Sequence, residues 1–141
     1  MKNLLSTSPY PFMICRVAVG LIFLSEGIQK FVRPEDIGGG RFSKIGFSSP
    51  DFWAHFTGSF EIICGLLVLI GLITRFAVVP LLIIMITAFI TTKLPILCAK
   101  GFWPFAHEYR TDFAMTLLLV LLLIYGAGKN SADARIIENK T

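Results

Sequence analysis

The sequence predicts an all-α integral membrane protein, a four-helix bundle running antiparallel, up-down-up-down, with both termini on one side. Three observations predict it. Of the 141 residues, 55% are hydrophobic and only 16% are charged, where soluble domains carry about a quarter charged residues. The apolar residues gather into four runs, the longest of them matching the ~20 residues needed to cross a hydrocarbon core of roughly 30 Å. Two of those runs contain a carboxylate, Glu26 and Glu61. A carboxylate at such depth costs about 2.5–3.5 kcal/mol on insertion scales, so it is expected to face protein or a wet cavity.

The whole chain, residues 1–141, reads as a single transmembrane domain. After a short polar lead, the first span covers about 12–32. Lys2 ahead of it imitates a signal peptide, but Arg16 and Glu26 interrupt the run and no small-residue cleavage site follows, so a retained anchor is expected. At 100° per residue, Arg16, Gly20, Phe23, Gly27 and Lys30 share one face. Glu26 stands four residues before Lys30, the favourable order for a helical ion pair. Glycines on that face allow a neighbouring backbone to approach closely, which is how helices associate in lipid.

A loop is expected over 33–50, with Gly38, Gly39 and Gly40 as a flexible segment. Ser49-Pro50-Asp51 reads as a helix start: a capping hydroxyl, a proline in the first turn, then an acid. The second span, about 52–73, places Gly58, Glu61, Gly65 and Leu72 on one stripe. A turn ending at Arg75 leads into the third span, about 76–94, which Pro95 is expected to stop. A second long loop, 95–110, is rich in aromatics and contains His107 and Glu108. The fourth span is about 111–125, and residues 126–141 read as a polar tail.

Ordering these elements by depth places Glu26, Gln29, Lys30, His55, Glu61, Lys93, His107, Glu108, Tyr109, Arg110 and Asp112 in one layer at one membrane face. Glu26 and Glu61 lie about 9 Å and 14 Å inside their spans by helical rise. The layer predicts a polar half-membrane pocket for a ligand or a proton relay, with Glu26, Lys30, Glu61, Lys93, His107, Tyr109 and Asp112 as its candidate residues. Arg16, Arg75 and Arg110 are read as structural ion pairs or interfacial anchors. No metal site is expected: there is no H-x-x-x-H, and the three cysteines are dispersed as small apolar fillers. Haem is disfavoured because it would need both His55 and His107. Basic residues cap apolar runs and form no stripe, which excludes nucleic acid as a partner.

Lys and Arg near the spans number six on the terminal side, from Lys2 to Lys140, and seven on the other. Setting aside those in the pocket favours cytoplasmic termini.

Arg16-Val-Ala-Val-Gly20 followed by Gly27-Ile-Gln-Lys30-Phe resembles the first helix of the DoxX family of small bacterial membrane proteins. Glu61-x-x-x-Gly65 with Gly71-Leu-Ile-Thr-Arg75 is similar to its second hairpin, and Gly126-Ala-Gly-Lys-Asn-Ser131-Ala-Asp133 to its closing G-x-G-x-x-S-x-D. The resemblance implies a four-helix protein of the bacterial cytoplasmic membrane. It also implies membrane redox chemistry, since relatives include a subunit of thiosulfate:quinone oxidoreductase and partners of sulfurtransferases. On that footing the expected role is a subunit or accessory of a quinone-linked system. Such a subunit would have no intrinsic cofactor of its own, quinone as its small molecule, and a partner protein or a second copy beside it. This chain departs in its long first loop and in having no cysteine marked for sulfur chemistry. The alternatives are a non-catalytic scaffold or assembly factor whose charges are internal ion pairs, and a small transporter or proton path.

Overall fold

Pro11 opens α1 (Pro11–Val32), its missing N–H falling in the first turn, where no intrahelical acceptor exists. The computed structural model describes residues 10–139. The rest of the polar lead, with Lys2, and the last two residues, with Lys140, lie outside the described residues. The buried face of α1 is Arg16, Val19, Gly20, Phe23, Gly27 and Lys30, the face the sequence predicts. It packs on α3 (Pro50–Ile70), whose buried residues are Ala54, Gly58, Glu61, Cys64, Gly65 and Val68.

The two helices run antiparallel, because Gly20 meets Gly65 and Leu69 while Gly27 meets Gly58 and Ile62. A Cβ on Gly27 would stand 2.8 Å from the Gly58 carbonyl oxygen and 2.8 Å from Ile62 Cγ1. Lipid tails are as apolar as these side chains, so close packing has to supply the attraction that water supplies in soluble bundles.

The segment between α1 and α3, expected to be a flexible loop, contains a short helix, α2 (Gly39–Lys44). Here Gly38 and Gly40 are required by contact, since a Cβ on either would collide with the carbonyl of Lys30 or Glu35. Ser49 does occupy the N-cap of α3, but its side chain makes no capping bond. Gly71, at φ 78°, closes α3 with its N–H on Leu67 and Val68, and α4 (Thr74–Ala88) follows at once.

The third helix does not stop at Pro95. A π-helical turn, Phe89–Lys93, carries α4 into α5 (Leu94–Lys100), with Pro95 in the first turn of α5. Gly101, at φ 87°, makes the break, and α6 (Phe102–Tyr125) begins nine residues before the expected fourth span. The aromatics read as a loop are helical: Phe102, Phe105, Tyr109 and Phe113 contact one another in series at three- and four-residue intervals. In the tail, Ala132–Glu138 forms α7.

Helix α4 is antiparallel to α6, with Arg75 Nη2 on the Ile124 carbonyl at one end and Phe89 against Phe105 and Tyr109 at the other. Their shared core is Ala77, Val78, Leu81, Met115, Leu119 and Leu122, joined by Val19 and Phe23 of α1 and Val68 of α3. No strand is present among the described residues. Three helical stretches are long and apolar enough to cross a membrane: Pro11–Val32, Pro50–Ile70 and Thr74–Lys100. Helix α6 has 24 residues but carries Glu108, Arg110 and Asp112 in its first half.

Gly27→Ala tests the packing of α1 on α3. The added methyl group has no space, and overpacking of this kind costs about 1–3 kcal/mol. The expected outcome is a lower melting temperature in detergent, with Ile28→Val, on the outer face, leaving it unchanged.

Candidate functional site

The layer of polar residues predicted at one membrane face resolves into two separate ion-pair clusters. In the first, Lys30 Nζ donates to Glu61 Oε2 at 2.6 Å, with side-chain exposures of 9% and 5%. Lys30 therefore pairs across to α3 and not with Glu26 four residues before it. The reason is geometric. Gly27 and Gly58 bring the two backbones close, and a buried carboxylate offers a better partner than a half-exposed one on the same helix. Glu26 and Arg41 remain within electrostatic range of Glu61. His55 lies beside this cluster with its ring stacked on Phe31 at 5.1 Å.

The second cluster is built where the π-helical turn meets α6. A π turn inserts one extra residue per turn and so re-aims the side chains that follow it. Here Lys93, at its end, is buried against α6. Its ammonium donates to the Glu108 carbonyl at 3.0 Å and stands 3.4 Å from Asp112 Oδ2 and 4.0 Å from Glu108 Oε2. Asp112 is 28% exposed and Glu108 58%, so the cluster opens outward at its rim. Tyr109 stacks on Phe105 at 5.3 Å and meets Phe89 edge-on at 5.1 Å, making an apolar wall beside it. His107 is exposed, with Nδ1 3.4 Å from Arg110 Nη1. Glu61 thus has Lys30 as its partner, and neither Lys93 nor Arg110 reaches it.

The opposite face carries a constellation whose coherence the sequence did not reveal. Asp133 accepts from the backbone N–H of Ile73 at 2.7 Å and of Thr74 at 3.1 Å, and its own N–H returns to the Gly71 carbonyl at 2.9 Å. Arg16 Nη2 donates to the Asn130 carbonyl at 2.8 Å. Arg16 and Arg75 are therefore held by main-chain carbonyls and not by direct ion pairs. Ser131 caps α7 by accepting from Ala134 N–H. The available signal was that the motifs around Arg16, Gly71–Arg75 and Ser131–Asp133 all belong to segments ending at one level.

These features define a small helical membrane protein with buried interhelical charge pairs. A DoxX family model matches residues 12–94, and the chain belongs to the DoxX family. That match ends before α6, so the closing motif at 126–133 lies beyond it. The chain is 48% identical to the uncharacterised membrane protein Rv3486 of Mycobacterium tuberculosis over 99% of this chain and 90% of that protein. It is 30% identical to the putative oxidoreductase CatD of Bacillus subtilis over 91% of this chain and 88% of that protein. No solved structure matches.

Glu61→Gln leaves the Lys30 ammonium buried without its counter-charge, which costs about 3–5 kcal/mol. The expected result is a large fall in melting temperature and yield. Replacing both partners, Lys30→Met with Glu61→Met, removes the unpaired charge and restores most of the loss. Thermal unfolding of the purified variants in one detergent makes the comparison.

Proposed function

We propose that the chain is a four-span antiparallel bundle of the bacterial inner membrane, with both termini cytoplasmic, and that it serves as a subunit or accessory of a quinone-linked redox system. The observation that carries this reading is the Lys93 cluster. An ammonium has three N–H donors; one bonds the Glu108 carbonyl, while the Asp112 and Glu108 carboxylates stand at 3.4 Å and 4.0 Å on the open rim, where an acceptor would share the charge. The rim of the cluster is open and its wall is aromatic, so a quinone ring fits its chemistry better than a charged solute does. Lys93 would donate to a quinone carbonyl oxygen, Asp112 would hold and pass a proton, and Phe105 and Tyr109 would pack against the ring. A bound quinone takes up two electrons and two protons to become the quinol, the electrons coming from a partner redox protein. The resemblance to a putative oxidoreductase supports the same assignment.

A second reading has its own observation. The Lys30–Glu61 pair is almost fully enclosed by α1 and α3, as expected for a charge that sets helix register and binds nothing. On that reading the chain is a membrane scaffold or assembly factor. The two readings combine without conflict, with one cluster holding the bundle and the other holding the ligand.

Organic extraction of protein purified in mild detergent, followed by absorbance and mass analysis of the extract, tests the first reading. Quinone is expected in the extract. Lys93→Met together with Asp112→Asn, which removes both charges of the pair, is expected to lower its retention about tenfold, the worth of a hydrogen bond to a charged group, with most of the melting temperature kept. Extracts free of quinone, or equal retention by the variant, leave only the scaffold.

A further inference from the structure

Two charged side chains set well inside the long helices reach the outer surface with no ionic partner among the described residues. Glu26 on α1 is half-buried and makes neither a hydrogen bond nor an ion pair. Arg110 on α6 is exposed, and its one contact is the ring nitrogen of His107 at 3.4 Å. The neighbouring charges do not serve them. Lys30 is taken by Glu61. Glu108 and Asp112, each two positions from Arg110, turn to Lys93 on the other side of α6.

Both lie at hydrocarbon depth. Glu26 stands six residues before the end of α1, about 9 Å inside it. Arg110 stands between Glu108 and Asp112, hence at the level of Lys93, which is about 10 Å inside the apolar stretch Thr74–Lys100. A charge left facing lipid at such depth is costly, so each is expected to meet a counter-charge. The two also share one face of the bundle. Phe12 and Tyr125 meet at 5.7 Å where the antiparallel helices α1 and α6 come together near the termini. Two heptads along α1 from Phe12 is Glu26, and two heptads back along α6 from Tyr125 is Thr111. Glu26 and the turn holding Arg110 and Thr111 are therefore level, on the sides of their helices that carry that contact. Thr111 is exposed, so the seam between α1 and α6 is uncovered at this level. Gln29 and Ser25, bonded to one another at 3.0 Å, add exposed polar atoms beside Glu26.

We infer that a second copy of this chain covers the α1–α6 seam, with Glu26 of each copy paired to Arg110 of the other. Symmetry makes the match. Copies inserted the same way round are related by a two-fold axis along the membrane normal, which preserves depth and sets α1 of one against α6 of the other. The unpaired charges are opposite in sign and level, so a single rotation satisfies all four as two pairs. Polar side chains such as Gln29 and Ser25 then gain the cross-helix partners that such groups find in membranes. The contact uses none of the residues assigned to quinone and stands independently of that reading.

The test coexpresses two differently tagged full-length copies, extracts them in mild detergent, captures one tag and reads how much of the other copy follows. Wild-type copies are expected to co-purify. Glu26→Arg combined with itself, and Arg110→Glu combined with itself, oppose like charges at both contacts and are expected to lower co-purification about tenfold. Glu26→Arg in one copy with Arg110→Glu in the other rebuilds both pairs and is expected to recover it. A pair closed within one chain would gain nothing from that mixture. The double variant Glu26→Leu with Arg110→Leu suits the seam to lipid; it is expected to keep its melting temperature and to lose co-purification. Wild-type copies that do not co-purify, a mixture no better than either reversal, or undiminished co-purification of the leucine variant overturns the inference.

Discussion

A charge pair almost fully enclosed by protein organises the contact between α1 and α3. Lys30 and Glu61 are each buried between these two helices, and neither could be left there alone. Their pairing requires the backbones to lie close, which Gly27 and Gly58 permit, and it fixes one register, since sliding either helix by a turn separates the charges. Lipid gives no hydrophobic penalty for a slipped register. Penalties for an unpaired charge and for a crowded glycine take its place, so the specificity of this contact rests on a few residues.

The terminal end is held by a different device. There the α3–α4 turn bends through Ile73 in the left-handed region, at φ 43°. A β-branched residue adopts that conformation at a cost of order 1–3 kcal/mol. Asp133 offsets it by taking the N–H groups of Ile73 and Thr74 at the start of α4, which have no helical acceptor, while Arg16 ties α1 to the segment around Asn130. One end of the protein is therefore locked by side-chain ions and the other by main-chain hydrogen bonds. The π-helical turn, at the end locked by side-chain ions, aims Lys93 at α6, in a cluster whose rim stays open.

Much of the architecture was legible in the chain. The buried faces of α1 and α3 follow from helical spacing of glycine with Arg16, Lys30 and Glu61, because residues that are awkward in lipid must turn inward. Membership of the DoxX family was readable from the same motifs. The partner of Lys30 was not. Glu26 has the right spacing along its own helix, but pairing across helices depends on rotation and register, which emerge only when the helices pack. Pro95 suggested an end to the third helix, yet the π turn before it carries the helix on and takes the proline into the first turn of α5. The aromatic run 102–109 resembled an interfacial loop because its periodicity is short and Gly101 interrupts it. The role of Asp133 was hidden in a segment that reads as a solvated tail, since a capping carboxylate 60 residues from the turn it caps leaves no local pattern.

The central claim is that Lys30 and Glu61 meet across the α1–α3 contact as a closed, mutually dependent pair. A charge exchange tests it most directly. Lys30→Glu and Glu61→Lys are made singly and together, and the yield of monodisperse protein from membranes is compared. The account predicts that each single reversal abolishes folded protein by burying like charges, and that the double exchange recovers it. Single reversals that are tolerated, or a double exchange no better than either, would contradict it.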